Sequence, residues 1–286
     1  VLQCIEITEE DEMGLLDESK KSAGAPESVD YQQHARDGQT SGNELLERYE
    51  EQIEAARTAF AEHWAVSTLT DPDVPPHLFA QWLYRYSLHG PQVTRDVERW
   101  LATAGRRCEE LGLTRIGRGF VGHARGEHGH DQMMIADARA LTGRIAGLSG
   151  AVLDTETILG TPLDDAGTYN AQFEDIIAGE HPYYMASASY EMERLSTTMA
   201  IDLVANARKI LGDDPHAGYY FLAEHVELDV GHTAFNRRQL GEVLALYPDQ
   251  LATLVEHGGR SILNYAGFMG ECLRLAQNDL QTVARP

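Results

Sequence analysis

From Asn43 to about Val66 the apolar positions Leu45, Leu46, Tyr49, Ile53, Ala56, Phe60 and Trp64 recur at helical spacing, and Asn43 stands where an N-cap belongs. Asp71-Pro72-Asp73-Val74-Pro75-Pro76 breaks that pattern, and the paired prolines suit the start of a second helix over 76–88. His89-Gly90-Pro91 closes it. A third helix is predicted from Pro91 to Leu111 on Val93, Val97, Trp100, Leu101 and Cys108, with Gly112 as its stop. A fourth follows over 114–142. Residues 143–163 are rich in glycine and threonine and predict a connection with one short helix, after which helices are expected over 165–178, 182–211, 216–240 and 248–282. Nowhere does a β-branched run alternate with period two, so the predicted fold is all-α, a bundle of about seven or eight helices.

The residues before this pattern differ in kind. Positions 1–40 carry ten acidic side chains against three basic ones, and from Glu18 to Gly42 few large apolar groups occur. Such a segment has little to bury, so residues 1–42 are expected to form an acidic, mobile or loosely docked arm ahead of a helical domain over 43–286.

Composition narrows the partners. With 43% hydrophobic and 24% charged residues among 286, the chain has ordinary globular composition, and no run approaches the roughly 18 apolar residues of a membrane span. A net charge of −22 argues against a nucleic-acid backbone or an anionic membrane surface. Cys4, Cys108 and Cys272 are far apart and form no C-x-x-C pair, which predicts neither a disulfide framework nor a thiolate metal site and suits a reducing cytoplasm.

Against that background two segments share one arrangement of metal-capable side chains: His123-x3-Glu127-x2-His130 and His225-x3-Asp229-x2-His232. On a continuous helix, positions i, i+4 and i+7 share a face, so each trio would point the same way. The second trio lies in a largely apolar stretch, Tyr219 to His232, where an unpaired carboxylate is costly to bury and Asp229 therefore needs a partner. A hydrogen-bonded Asp–His pair inside a helical core is the plain alternative for one such motif, but two copies favour metal, because acid-x-x-His is how helical bundles present a carboxylate and an imidazole from one helix.

A further carboxylate is expected from the helix between the motifs, where Glu191 and Glu193 point about 200° apart. Glu191 is the choice, since Ala188, Leu195 and Thr198 share its face, whereas Glu193 is followed by Arg194. The expected ligands are thus Glu127, His130, Glu191, His225, Asp229 and His232, three imidazoles and three carboxylates without sulfur, a set suited to iron or manganese over structural zinc. His123 is expected to support the site or mark a helix start, because Gly122, Gly126 and Gly129 make a straight helix doubtful there. His128 falls on another face, and Asp137 is placed to accept a hydrogen bond from a ligand imidazole or to sit on the helix surface.

The run Glu127-His128-Gly129-His130-Asp131-Gln132-Met133-Met134-Ile135-Ala136-Asp137-Ala138-Arg139-Ala140-Leu141 resembles the E-x-G-H-x-x-x-x-x-x-D-x-x-x-L segment of iron-containing haem-oxygenase-like proteins. Tyr190-Glu191 and the His225, Asp229, His232 trio resemble the other ligand helices of the haem-oxygenase-like diiron oxidases and oxygenases. This chain departs from many relatives in having His128 where they show a second acid. The resemblance implies a haem-oxygenase-like bundle of about seven core helices with an N-terminal extension and no haem, two Fe(II) ions per chain, and O2 as co-substrate.

It further implies an O2-dependent oxidoreductase of bacterial specialised metabolism, acting on an amino acid, an amine or a fatty acid. C–H abstraction from a small amino acid, leading to desaturation or cyclisation, is the expected reaction. Amine N-oxygenation, fatty-acid oxidative decarboxylation and a non-catalytic metal- or haem-binding bundle are the alternatives. An apolar tunnel would favour a fatty acid, and a short pocket with paired polar groups an amino acid. Tyr184, Met185, Tyr219, Phe221 and Phe268 are candidate pocket walls, and Arg194, Arg237, Arg238 and Arg260 candidate carboxylate partners. An external electron donor and a homodimer are both compatible with this reading.

Overall fold

The computed structural model describes residues 28–149 and 151–283, with the side chains of 28–41 and 227–231 outside the description. Residues 1–27 of the expected arm, including Cys4, and the side chain of Asp229 therefore lie outside the described residues. Contacts divide the chain between Gly38 and Gln39, and the core, the polar cluster and the cavity all lie in the larger unit, Gln39–Pro286.

Helices follow one another as α1 (Ser28–Ala61), α2 (Trp64–Thr70), α3 (Pro76–His89), α4 (Pro91–Thr94), α5 (Val97–Glu110), α6 (Thr114–Gly126), α7 (His130–Leu148), α8 (Thr155–Leu159) and α9 (Asp164–Ala178). They continue as α10 (Met185–Ser196), α11 (Met199–Leu211), α12 (Tyr220–Leu246) and α13 (Leu251–Val283), with 3-10 turns at Pro182–Tyr184, Pro215–Ala217 and Pro248–Gln250. No strand occurs among the described residues, as the missing period-two patterns predict.

Four of the predicted helices are broken where local chemistry intervenes. The first stops at Ala61 and restarts at Trp64, which leaves Trp64 40% exposed instead of in the core. The third divides into α4 and α5 around Arg95 and Asp96. The helix predicted over 182–211 divides between Ser196 and Met199.

The fourth break matters most. Gly129 adopts φ +87°, a left-handed conformation that glycine takes without penalty, so the helix predicted over 114–142 becomes α6 and α7 with Glu127 at the bend. α7 then runs on past the predicted stop at Gly143 to Leu148.

At the centre, α13 packs on α3, α9 and α10, while α10 also packs on α12, and α3 on α7. Together with α1, α5 and α6 they supply a continuous core that includes Tyr49, Phe79, Trp82, Trp100, Phe120, Tyr190, Leu254 and Phe268. Removing that much apolar surface from water is the main stabilising term of a bundle. Cys108 and Cys272 are buried and unpaired within it.

One polar tie crosses the core. Arg57 on α1 donates through Nε and Nη2 to both oxygens of Glu191 on α10, at 2.9 and 2.8 Å, and the Tyr49 hydroxyl donates to the same carboxylate at 3.2 Å. α13 permits this by presenting Gly258 there, where a Cβ would come within 2.3 Å of the Tyr49 oxygen and 3.0 Å of Glu191 Cγ. The fork geometry of guanidinium and carboxylate thus clamps α1 to α10.

Candidate metal centre

Four side chains from three parts of the fold meet beside that tie. His123 is in the last turn of α6, Glu127 caps the same helix, Glu193 comes from α10 and His232 from α12. Their ligand-type atoms all lie within 4.8 Å of one another. His123 Nε2 stands 3.1 Å from Glu127 Oε1 and 2.9 Å from Glu193 Oε1, and His232 Nδ1 is 3.7 Å from Glu193 Oε2. Donors bound about 2.1 Å from one shared ion stand roughly 3.0–3.4 Å apart, a range that the 3.1 Å separation meets and that the 2.9 and 3.7 Å separations approach from either side.

Glu127 reaches both ways. While Oε1 faces His123, Oε2 lies 2.8 Å from His130 Nδ1, and the His130 ring is edge-on to His225 at 4.5 Å between centroids. The imidazoles therefore fall into two pairs, His123 with His232 (5.5 Å between centroids) and His130 with His225, and one carboxylate spans them. His225 Nδ1 donates to the Phe221 carbonyl at 2.7 Å, which fixes the proton on that nitrogen and leaves Nε2 with its lone pair, the arrangement metal-binding histidines show.

The electrostatics follow from crowding. Burial opposes charge on His123, but the Glu193 carboxylate and hydrogen bonds to both glutamates prevail and raise its pKa to about 10. Burial likewise opposes charge on Glu193, which the charged His123 nonetheless lowers to about 2. Glu127 is held well below the usual carboxylate range against burial by hydrogen bonds from His123 and His130. In the metal-free protein the centre is thus a buried, proton-neutralised cluster, and a cation replacing those protons would satisfy the same groups.

Measured against the sequence, the structure gathers Glu127, His130, His225 and His232 into one locality. It corrects two assignments. Glu191, expected as a ligand, is committed to Arg57 and Tyr49, and Glu193 takes its place at the cluster. His123, expected to support the site or mark a helix start, stands within the cluster itself, because α6 stays helical through Gly122 and breaks only after Gly126.

Of the accessory expectations, His128 is exposed and pairs with Glu98 at 2.9 Å. Asp137 is buried, yet instead of an imidazole it accepts the backbone N–H groups of Tyr220 and Phe221, each at 2.9 Å, and so caps α12 from α7. Burial outweighs those bonds and raises its pKa to about 6.

Against the cluster lies a cavity of about 110 Å³, reached by Glu127, Glu193 and His225 and walled by Val93, Val97, Met192, Leu195, Met199 and Phe221, among others. Three tyrosines, Tyr86, Tyr169 and Tyr265, also line it. Of the expected walls, Phe221 is there, Met185 lines a smaller neighbouring space of about 40 Å³, and Tyr184 stacks on His257 away from both. Tyr219 is bonded to the Gly212 carbonyl, and Phe268 packs behind Tyr86 and Tyr265. None of the four expected arginines lines the cavity: Arg194 approaches Glu191, Arg237 bonds Glu50, and Arg238 and Arg260 are exposed.

Fold and site together describe an all-α, haem-oxygenase-like bundle that gathers a histidine and carboxylate cluster against a small cavity. The fold assignment rests on two solved structures. A domain of unknown function with a haem oxygenase-like fold from Shewanella denitrificans superposes with a TM-score of 0.60 at 17% identity, covering 81% of this chain and 93% of that one. A CADD-like protein of unknown function from Nostoc punctiforme gives a TM-score of 0.52, also at 17% identity, over 80% of this chain and 98% of that one. The haem-oxygenase-like fold expected from the motifs is the fold of this chain. No protein-family model and no curated protein matches it, and no described helix is long and apolar enough to cross a membrane.

Proposed function

We propose that the protein is an O2-dependent oxidoreductase that holds two non-haem ferrous ions and oxidises a C–H bond on a small substrate group entering the cavity. The observation that carries this reading is Glu127, whose two oxygens face two separate imidazole pairs. A single closed ion would need neither the second pair nor a carboxylate that spans both. His123, Glu193 and His232 would hold one ion, and His130 and His225 the other, with Glu127 between them and Asp229 assigned to the second ion from its place in the sequence motif. The mixed nitrogen and oxygen donors, without thiolate, suit iron.

When bound there, the ions supply the electrons and open coordination positions that O2 reduction needs. The chain's own contribution is to position and to exclude. Met192, Leu195, Met199 and Phe221 press the substrate group against the Glu127, Glu193 and His225 side of the cavity and keep water away from the reacting carbon. Desaturation removes two hydrogens from the substrate, reducing O2 to hydrogen peroxide, or to two waters when an external donor supplies two further electrons and solvent supplies two protons.

A cavity of about 110 Å³ is somewhat smaller than the engineered 150 Å³ cavity that accepts benzene, so it suits a ring or a branched side chain and not a long acyl chain. This favours the amino-acid reading over the fatty-acid one, with the side chain inside and the charged head outside the cavity. The test is O2 uptake by the ferrous-loaded protein across a panel of amino acids and amines. Substrate-dependent uptake with matching product is expected, and uptake that no panel member accelerates would contradict the proposal.

A further inference from the structure

The cavity contains a feature that oxidation of a C–H bond does not itself require. Tyr86 from α3 and Tyr265 from α13 meet with their hydroxyl oxygens 2.6 Å apart. Tyr86 stacks on Trp82 at 5.0 Å, Phe268 packs at 5.9 Å from both phenol rings, and Tyr169 sits 5.9 Å from Tyr265, so the rings cannot swing apart. In such a pair only one O–H can point at the other oxygen. The second proton is left over, and among the described residues neither hydroxyl has another partner. Both phenols stay neutral, since burial raises Tyr265 to about 12 and Tyr86 well above its ordinary range.

The rest of the lining decides what that spare donor can meet. No lysine or arginine lines the cavity, and its charged groups are Glu127 and Glu193. In the metal-free chain a carboxylate or phosphate placed inside would be desolvated without a cationic side chain in the lining and would face two carboxylates. A pure hydrocarbon would fit the walls but leave the spare O–H unsatisfied.

We propose that the cavity selects a neutral, ring-sized or branched group carrying one hydrogen-bond acceptor, such as a hydroxyl or carbonyl oxygen, with the Tyr86–Tyr265 pair as its donor. The metal-free cavity rejects anionic groups. This deepens the proposed oxidation by naming the class of group held against the metal centre, and it rests on that reading only in taking the cavity as the substrate's.

The test is ligand binding without turnover, by fluorine NMR on the full chain, metal-free and again with zinc as a redox-inert ion, using 4-fluorophenol, 4-fluorotoluene and 4-fluorobenzoate. The phenol should bind at least about five-fold tighter than the toluene, the span of one net hydrogen bond, and the benzoate should not bind the metal-free chain. The double variant Tyr86→Phe/Tyr265→Phe, which removes both O–H donors, should abolish the phenol's advantage while leaving toluene binding in place, which also shows that the cavity has survived. Equal affinity for phenol and toluene, benzoate binding to the metal-free chain as tightly as phenol, no binding of any probe, or a phenol preference that persists in the double variant would each overturn the proposal. Failure of the diiron reading looks different: a chain that takes up no iron yet keeps the phenol preference.

Discussion

Replacing Glu191 with glutamine separates the two glutamates of α10 by experiment. In the structure Glu191 is 1% exposed and forked to Arg57, itself 13% exposed, and it receives the Tyr49 hydroxyl as well. Breaking a buried ion pair from one side costs about 3–5 kcal/mol, because the partner charge remains in place without compensation. Arg57 keeps Glu50 at 2.7 Å and some contact with water, so the low end applies, about 3 kcal/mol. For a domain of this size that lowers Tm by roughly 6–12 °C. Calorimetry on metal-free wild type and Glu191→Gln reads the shift, and iron analysis after anaerobic loading reads the site. The expected outcome is a markedly lower Tm with unchanged iron content, whereas Glu193→Gln loses iron. An unchanged Tm with iron lost from Glu191→Gln would refute the reasoning and return Glu191 to the ligand set.

Other consequences follow from the same geometry. His123 has a folded pKa of about 10 against an unfolded value near 6.5, so its stabilising contribution is complete below about pH 6.5 and is lost as pH rises through about 10. Metal-free protein should therefore lose stability across that window in a pH-resolved denaturant series, and His123→Gln should flatten the slope. Because a ligating imidazole must be neutral, metal uptake near pH 8 (about one unit above neutrality) should also expel the His123 proton, seen by calorimetry as a heat that varies with buffer ionisation enthalpy; a buffer-independent heat would contradict this. Asp137→Asn offers one acceptor oxygen where two backbone N–H groups are bound, so it should cost about 1–3 kcal/mol and speed amide exchange at Tyr220 and Phe221. Unchanged exchange at those amides would remove Asp137 as the cap of α12.

How far the sequence reaches is clear from particular residues. The paired motif is legible because five of its six members, His123, Glu127, His130, His225 and His232, converge, although the first copy bends at Gly129 and is not one helical face. Three glycines around His123 signal a weak helix without showing which of them breaks it. The choice between Glu191 and Glu193 fails for a physical reason: an apolar helical face identifies burial, not what it is buried against. Glu191 is indeed buried, but its partner Arg57 lies 134 positions away in the chain. A better signal was present on the same helix, where Met185, Ser189, Met192, Glu193 and Ser196 recur at helical spacing and all line the two cavities. The tyrosine pair carries no such pattern, since Tyr86 and Tyr265 meet only through the packing of α3 on α13.

The central claim is that Glu127 spans two metal positions, and iron stoichiometry tests it most directly. Full-length protein loaded anaerobically with ferrous ion and freed of excess should retain about two irons per chain, in keeping with bundle carboxylate sites, and Glu127→Ala should lose both together. One iron per chain, or a Glu127→Ala variant that still holds two, would contradict the account.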